Sequence, residues 1–378
     1  MWRAVWALIG ASIAAFALAG CGAGAPLPPT PADASARERE QQAFVEALKP
    51  RRAGRPVIAV LALNEGTETT DLLLPHAVLQ RADVADVRIV APKSGRVTLY
   101  PALQVDGAQD FASFDRAHPS GPDYVIVPAM IVEDDPAVAD WLKQQAARGA
   151  RVIGVCSGAL VVGYAGLLDG RRFAGHWYDR KTLLKRHPGA THVPHQRYVM
   201  DRDVATTTGI TASVPTMLAL VEAIGGPEKA KSMADELGVA SWSPAHDSAP
   251  FGLDVKRGGS YLLNKAAFWR GEQGQIEVRN GTDDIALALA ADAWTRTGHM
   301  KVDAASASGS VTLRSGLVLV TQPAREKSTR LLLTSSLKPV QQLDRTLCEI
   351  AARHGEAQHD WVMQEMEYPG PAAAICAG

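Results

Sequence analysis

The sequence predicts a three-layer α/β/α sandwich with a mostly parallel sheet, and two observations carry this prediction. Short apolar runs of strand length alternate with helix-like segments from Pro56 onward, and this alternation is typical of a parallel sheet with helices on both faces. The apolar run Val152-Ile153 leads through Gly154-Val155-Cys156-Ser157-Gly158 into a helix-like stretch. Strand, Gly-x-nucleophile-x-Gly and helix in this order is the pattern of a nucleophile elbow at the top of an α/β sheet.

The elements of this region follow from the length and composition of each segment. Short apolar runs predict buried strands, and longer stretches with apolar residues at helical spacing predict helices. The predicted strands are 56–63, 87–90, 124–127 and 152–155, with a hairpin-like excursion at 97–99 and 103–105, and the predicted helices are 70–82, 136–148 and 159–165. Ligands of such sheets bind at the carboxyl ends of the strands, where the elbow lies.

Cys156 is predicted to be a reactive cysteine. The small residues around it let the chain turn sharply, and the positive end of the following helix favours the nucleophilic thiolate. A buried apolar cysteine at a strand end is the alternative for a lone cysteine. The flanking glycines and the strand-to-helix context favour the nucleophile.

The first twenty residues predict a targeting segment. Met1-Trp2-Arg3 is a short basic start, residues 4–19 are almost wholly apolar, and Leu18-Ala19-Gly20-Cys21 places small residues before a cysteine. This resembles a bacterial lipoprotein signal, which implies cleavage before Cys21 and lipid on Cys21. An uncleaved membrane anchor is less favoured, since a spanning helix needs about 20 apolar residues. We therefore expect a protein lipid-anchored in the bacterial cell envelope, at the periplasmic face or outer membrane.

Three further regions are predicted around the main domain, which we place at 55–240. Residues 21–54 are rich in Pro, Ala and charge, and they predict a flexible tether with a short helix near 38–48. Residues 241–274 form a polar connector. Residues 275–378 are expected to form a smaller α/β unit.

A weak internal repeat supports the prediction of this carboxyl-terminal unit. The segment 94–99 (SGRVTL) returns as 308–313 (SGSVTL), and 64–82 is echoed by 280–297. No second elbow cysteine follows, so the unit is expected to be a truncated, non-catalytic copy that ends in one helix over 340–366. Chance similarity is the alternative.

Composition narrows the classes of partner and cofactor. The chain has 39 basic and 40 acidic residues, a balance that gives no reason to expect a polyanion partner. No paired Cys/His spacing indicates a metal site, and we expect neither a metal nor another cofactor. Besides Cys21 and Cys156 there are Cys348 and Cys376, and whether these two form a disulfide is left open.

Four segments of the main domain resemble the ThiJ/PfpI superfamily, within the class I glutamine amidotransferase-like fold. The likeness covers about 56–226 and is closest to the amino-terminal domain of AraC-type regulators and to the isocyanide hydratases. It implies a flavodoxin-like sandwich. The segments are 152–159 (VIGVCSGA), 165–177 (AGLLDGRRFAGHW), 198–203 (YVMDRD) and 206–226 (TTTGITASVPTMLALVEAIGG).

The resemblance assigns roles to individual residues. Cys156 matches the nucleophile, His176 matches a histidine near it, and Asp71 matches an acid that hydrogen-bonds the thiol. The structural alternatives are a first-turn acid that stabilises its helix at Asp71 and a histidine packed beside Trp177. Glu68 matches a second acidic position but is expected to be a solvated turn residue. We expect Asp71, Cys156 and His176 to converge, with the pKa of the thiol below its free value.

The segment Pro128-Ala129-Met130 departs from the pattern of the family. Many members have two glycines here, whose backbone N–H helps to bind an oxyanion. We expect Ser157 and the Ala129-Met130 turn to supply these donors, without the conformational freedom of glycine. True glutamine amidotransferases also carry a late His-x-Glu, which 206–214 lacks, so glutamine hydrolysis is not expected.

The sequence thus predicts cysteine-dependent hydrolysis, hydration or a related addition on a small electrophilic molecule. A non-enzymatic binding or redox-sensing module is the alternative. The acidic final helix has no paired helix-turn-helix with a basic recognition helix, so nucleic acid is not an expected partner. The expected partners are a small-molecule ligand and the membrane, through lipid on Cys21, and a homodimer is left open.

Overall fold

The computed structural model describes residues 31–252, residues 271–370 and Cys376. They form a large sheet flanked by helices, and a smaller sheet beside it. The predicted signal segment and its lipidation site, Cys21, lie outside the described residues. Within the described ranges, no helix is both long enough and apolar enough to cross a bilayer.

The helices and strands alternate along the chain as the apolar pattern predicts. The helices are α1 Pro31–Leu48, α2 Thr69–Ala82, α3 Phe111–Ala117, α4 Pro136–Ala147, α5 Gly158–Tyr164, α6 Arg180–Arg186, α7 Ser213–Gly225, α8 Pro227–Leu237, α9 Asp284–Arg296, α10 Gln341–His354 and α11 Glu356–Met366. The strands are β1 Val57–Leu61, β2 Thr67–Glu68, β3 Asp86–Ala91, β4 Gly95–Tyr100, β5 Gln104–Asp110, β6 Tyr124–Val127, β7 Arg151–Gly154, β8 Arg172–Phe173, β9 Thr191–His192, β10 Tyr198–Asp201, β11 Val204–Thr207, β12 Glu272–Glu277, β13 Met300–Ala305, β14 Ser310–Thr312, β15 Val318–Val320 and β16 Thr329–Leu331.

The main sheet has the order β10-β11-β7-β6-β1-β3-β5-β15-β14, and β4 pairs with both β2 and β5. Strands β11 to β5 along this order are parallel, which confirms the predicted sandwich. The carboxyl ends of β1, β6 and β7 lie at the same edge. The segments that follow them, which carry Asp71, Ala129 and Cys156, therefore meet there.

The carboxyl-terminal unit repeats the topology of the first half. The small parallel sheet has the order β16-β12-β13, as the main sheet has β6-β1-β3, and α9 follows β12 as α2 follows β1. The repeated topology ends after β16, where the first copy continues to Cys156, and we count α10 and α11, which follow β16, as part of the second copy. It is not a separate body, because the hairpin β14–β15 pairs with β5 and extends the main sheet.

Helices α2 and α9 pack against each other, and an ion pair joins them at each end. Glu68, the N-cap of α2, pairs with Arg296 in the last turn of α9 at 2.8 Å, and Asp283, the N-cap of α9, pairs with Arg81 in the last turn of α2 at 2.9 Å. Acids favour helix N-termini and cations favour C-termini, so each pair stabilises two helix ends. The ion pair with Glu68 places Arg296 of the second copy near the elbow of the first.

The predicted tether is partly a helix that packs on the domain. Helix α1 begins at Pro31, and Phe44, Val45 and Leu48 of its last turns are buried. The Tyr124 hydroxyl donates to the Leu48 carbonyl. The buried apolar residues lie only in the last turns of this charged helix. The composition of the whole segment was therefore polar and predicted a flexible chain.

The prediction of a single final helix over 340–366 is wrong. The segment is divided into α10 and α11 at Gly355, which adopts φ 86°. Cys348 and Cys376 form a disulfide with their Cα atoms 5.0 Å apart, which answers the question of pairing that the sequence left open.

Candidate active site

Cys156 lies at the turn between β7 and α5, as the elbow pattern predicts. Its φ of 52° falls in the left-handed region that side chains rarely adopt. A Cβ at Gly158 would collide with the Val127 carbonyl oxygen, so this close approach requires glycine. The Cys156 N–H donates to Thr207 Oγ1 at 3.0 Å. These contacts fix the backbone from which the thiol projects.

A cavity of about 260 Å³ lies over the thiol, and both copies contribute to its wall. The first copy supplies Cys156, Ser157 and His176, and the second supplies Arg296 and Glu365. Cys156 is only 5 % exposed. A substrate must therefore be small to reach the sulfur.

Asp71 is fully buried behind the lining residues Glu68 and Ala129 of this cavity, but it does not hydrogen-bond the thiol as the resemblance implied. Its Oδ2 accepts the Ala129 N–H at 3.1 Å, and its Oδ1 has no hydrogen-bond partner in the described part of the chain. The Ala129 N–H is thus occupied by a carboxylate, which contradicts its assignment as an oxyanion donor. Met130 is held in a bridge with Thr67 and its side chain is buried. For Met130 and Ser157 the oxyanion role stays a prediction.

His176 lines the cavity, but its ring forms a hydrogen bond with the second copy and not with the thiol. Its Nε2 donates to the Glu365 carbonyl at 3.1 Å, and Trp177 Nε1 donates to the Gln364 carbonyl at 2.8 Å. The polar side-chain atom recorded beside the Cys156 sulfur is Ser157 Oγ, at 3.9 Å. The structure therefore places His176 at the site while giving it a structural partner.

Glu68 is a buried residue of the site and not the solvated turn residue expected. It is 2 % exposed, and its Oε2 accepts the Asp71 N–H at 2.6 Å and the Thr70 hydroxyl at 2.8 Å. Its other oxygen binds Arg296. Because the second copy covers this turn, a residue that looks solvated from local sequence becomes a bridge between the copies.

Burial and a concentration of acids control ionisation in the site. Burial raises the pKa of Asp71 to about 7, against the opposing effects of the Ala129 N–H and Arg296. Burial also raises the pKa of Glu68, with Asp292 and Asp71 adding to the effect. Burial would lower the pKa of Arg296, but Asp292, Glu68 and Glu365 outweigh it and raise that pKa. Near neutral pH, Asp71 is therefore poised to give or take a proton.

The expectation of a low thiol pKa is wrong for this structure. Burial, followed by the negative charges of Asp71, Glu68 and Asp179, raises the pKa of Cys156 well above its usual value, and Arg296 opposes this only in part. The positive end of α5 does not outweigh a closed cavity lined by carboxylates. The resting form of Cys156 at neutral pH is the thiol.

Sequence reasoning missed Arg296, Glu365 and Asp179. Arg296 binds three carboxylates, with Asp292 at 2.7 Å, Glu68 at 2.8 Å and Glu365 at 3.2 Å. Asp179 accepts the Ser157 hydroxyl. The similarity between 64–82 and 280–297 could have indicated Arg296, because each segment has an arginine in the last turn of its buried helix. Across 31–252 and 271–370, no group of His, Cys, Asp and Glu is arranged to hold a metal ion.

The fold and site define an α/β sandwich protein with a cysteine nucleophile elbow. The profile of the DJ-1/PfpI family matches residues 57–223. With 30 % identity to the isonitrile hydratase of Pseudomonas putida over 186 residues, 48 % of this chain and 77 % of the hydratase, the chain belongs to the DJ-1/PfpI family. The matched profile ends before the second copy begins.

Other similar proteins include a transcriptional regulator and two proteins of known structure. The HTH-type transcriptional regulator CdhR of Pseudomonas aeruginosa is 30 % identical over 112 residues, which are 30 % of this chain and 33 % of the regulator. A THiJ/PfpI family protein from Pseudomonas syringae has a TM-score of 0.48 at 24 % identity, over 58 % of this chain and 89 % of its own. DJ-1beta of Drosophila melanogaster has a TM-score of 0.44 at 20 % identity, over 50 % of this chain and 100 % of its own.

Proposed function

We propose that the chain is a cysteine-dependent enzyme that adds water to a small uncharged electrophile, with an isonitrile as the first candidate substrate. The observation that carries the proposal is Asp71, a fully buried acid with a pKa of about 7 that contacts Glu68 and Ala129 in the wall of the Cys156 cavity. A general acid works best when its pKa lies near the operating pH. The identity to isonitrile hydratase supports the choice of substrate class.

In the proposed reaction, Cys156 forms a covalent adduct with the isonitrile R–N≡C. The sulfur bonds to the terminal carbon, Asp71 gives that carbon a proton, and Asp71 takes the thiol proton in return. Water then adds to the C=N bond of R–N=CH–S–Cys156. The C–S bond breaks, which releases the formamide R–NH–CHO and restores the thiol.

The charges of the cavity favour an uncharged substrate. Arg296 is the guanidinium in its wall, and three carboxylates already bind it. An anionic substrate would have to compete with Glu68 and Glu365 for that cation. A neutral molecule fits beside the thiol without breaking these pairs.

Incubating the full-length protein with benzyl isonitrile tests the proposal. We expect N-benzylformamide to accumulate catalytically, as followed by proton NMR, and Cys156→Ala to abolish turnover because it removes the attacking atom. Asp284→Asn serves as a folded control, since Asp284 is buried in the second copy and bonded to Ser315. Formamide production by Cys156→Ala at the wild-type rate would contradict the mechanism.

A non-enzymatic binding module is the second candidate. Occupation of the Ala129 N–H by Asp71 favours it, because this removes one donor for a developing oxyanion. Saturable binding of benzyl isonitrile without formamide would support this alternative. The buried, protonated thiol argues against a redox sensor, which needs an accessible thiolate.

We also propose that the protein is a lipoprotein of the cell envelope, and the Cys348–Cys376 disulfide supports an oxidising compartment. We expect the mature chain to begin at Cys21 and to partition with membranes. Cys21→Ala should accumulate as unprocessed precursor, whereas Cys156→Ala, a matched substitution, should be processed normally. Mass spectrometry of the amino terminus after fractionation measures both. A Cys21→Ala chain that is still cleaved next to position 21 and soluble would exclude the proposal.

A further inference from the structure

A second cavity, of about 190 Å³, lies between the two copies and does not include Cys156. Its walls are mainly apolar. Leu74 and Val214 come from α2 and α7 of the first copy, and Leu289 and Leu343 come from α9 and α10 of the second. These four side chains are at most 4 % exposed. A molecule in this cavity would touch both copies.

One charged side chain, Arg197, lines this apolar cavity without a carboxylate partner. It is half-buried, and within the described residues its side chain forms one hydrogen bond, a long one of 3.5 Å from Nη1 to the Ser243 carbonyl. No acid forms an ion pair with it in the described ranges, and burial lowers the pKa of Arg197. A guanidinium has five N–H donors in a planar fork, and leaving such a charge desolvated and unpaired is costly. Arg197 therefore favours an anion.

His246 is a second under-used polar group in the same wall. It is 8 % exposed, and its Nε2 has no hydrogen-bond partner within the described chain, although it lies 3.7 Å from Glu367 Oε1. The Ser241 side chain is a further polar part of the wall. Apolar walls with a few converging polar groups are typical of ligand pockets.

We infer that this cavity binds a small monocarboxylate whose body is apolar. The carboxylate pairs with the guanidinium fork of Arg197, a geometry that allows two parallel hydrogen bonds. The apolar body packs on Leu74, Val214 and Leu343. The size fits a phenyl ring or short alkyl chain, since an apolar cavity of about 150 Å³ holds benzene.

The proposed ligand site is separate from the Cys156 cavity. None of the described residues that line one cavity also lines the other. Glu365 lines the first cavity and Tyr368 lines the second. The inference therefore does not depend on the proposed reaction.

Calorimetric titration of the full-length protein with phenylacetate and with its uncharged analogue phenylacetamide tests the inference. We expect saturable one-to-one binding of phenylacetate, and binding of the amide weaker by about tenfold or more, the effect of losing a charged hydrogen-bonded pair. Arg197→Met should weaken phenylacetate binding by a similar factor and leave amide binding unchanged. Arg88→Met, which removes an exposed arginine elsewhere, is the matched control.

Two further variants make the result decisive. Cys156→Ala should bind phenylacetate as the wild type does, which separates this site from the proposed catalytic one. Val214→Phe should abolish binding of both probes by filling the cavity. Absence of saturable binding, equal affinity for the two probes, or phenylacetate binding that survives in Val214→Phe would each overturn the inference.

Discussion

Asp71→Asn is expected to slow formamide formation by a factor of about 10²–10⁴, the usual contribution of a positioned acid or base. The amide oxygen of asparagine still accepts the Ala129 N–H, so the loop keeps its geometry, but the side chain no longer exchanges a proton with substrate. Steady-state NMR assays give the rate. Asp284→Asn is the matched control, because Asp284 is an equally buried first-turn acid whose pKa burial also raises.

The pH dependence separates this catalytic role from a structural one. With Asp71 as the acid, wild-type kcat/KM should fall as pH rises through about 7, and the residual activity of Asp71→Asn should lose that step. A rate for Asp71→Asn equal to that of Asp284→Asn would remove Asp71 from the mechanism.

Thermal stability provides an independent check on the raised pKa of Asp71. Folding raises this pKa from 3.8 to about 7, so the folded state holds the proton more tightly between these pH values. Stability conferred by Asp71 is therefore lost as pH rises from about 4 to 7. The Asp71→Asn variant does not lose this stability. Its melting temperature minus that of the wild type should therefore increase as the pH rises from about 4 to 7. An unchanged difference in Tm would show that the pKa of Asp71 is not raised.

Arg296→Met is expected to destabilise the protein by about 3–5 kcal/mol, because removing one partner of a buried ion pair leaves uncompensated charge. Glu68 and Asp292 are 2 % and 0 % exposed and would lose their cation. The pKa of Cys156 should also rise further, since Arg296 is the charge that lowers it. Denaturant unfolding measures the first effect, and iodoacetamide labelling of Cys156 against pH measures the second.

The symmetric partner of Arg296 supplies the control. Arg81→Met removes the corresponding last-turn arginine, but Asp283 and Glu236 are partly exposed and both remain paired with Arg314. Although the Arg81 side chain is only 5 % exposed, the two acids keep both water and Arg314, so we expect a smaller loss than for Arg296→Met and no change in thiol titration. Equal losses for the two arginines, or an unchanged thiol pKa in Arg296→Met, would contradict the role assigned to Arg296.

The elements and the elbow were predictable because their signals are local. The strand at 124–127 has the predicted bounds, and helix α2 starts one residue before the predicted Thr70. At the elbow, Cys156 adopts a left-handed backbone and Gly158 lies close to the Val127 carbonyl, as the small flanking residues indicate. Each depends on residues within one strand, turn and helix.

The partners of the candidate site residues were not predictable in this way. The resemblance placed Asp71 beside the thiol, yet its carboxylate binds the Ala129 N–H, in a segment where this chain departs from the family. His176 binds the Glu365 carbonyl, which is far away in sequence. Such hydrogen bonds depend on the direction of each side chain and on which polar groups lose their contact with water when the protein folds.

By itself, the sequence determined that this protein is an α/β sandwich with a cysteine at an elbow, and it indicated a truncated second copy for which chance similarity was the alternative. Periodicity and glycine positions record the sandwich and the elbow directly, whereas the second copy became certain only from the order of its strands. Only the tertiary structure decided that the second copy closes the site with Arg296 and that Cys156 rests as a thiol. The physical reason is that burial and charge act through space, so the pKa of a group depends on neighbours that no local pattern identifies.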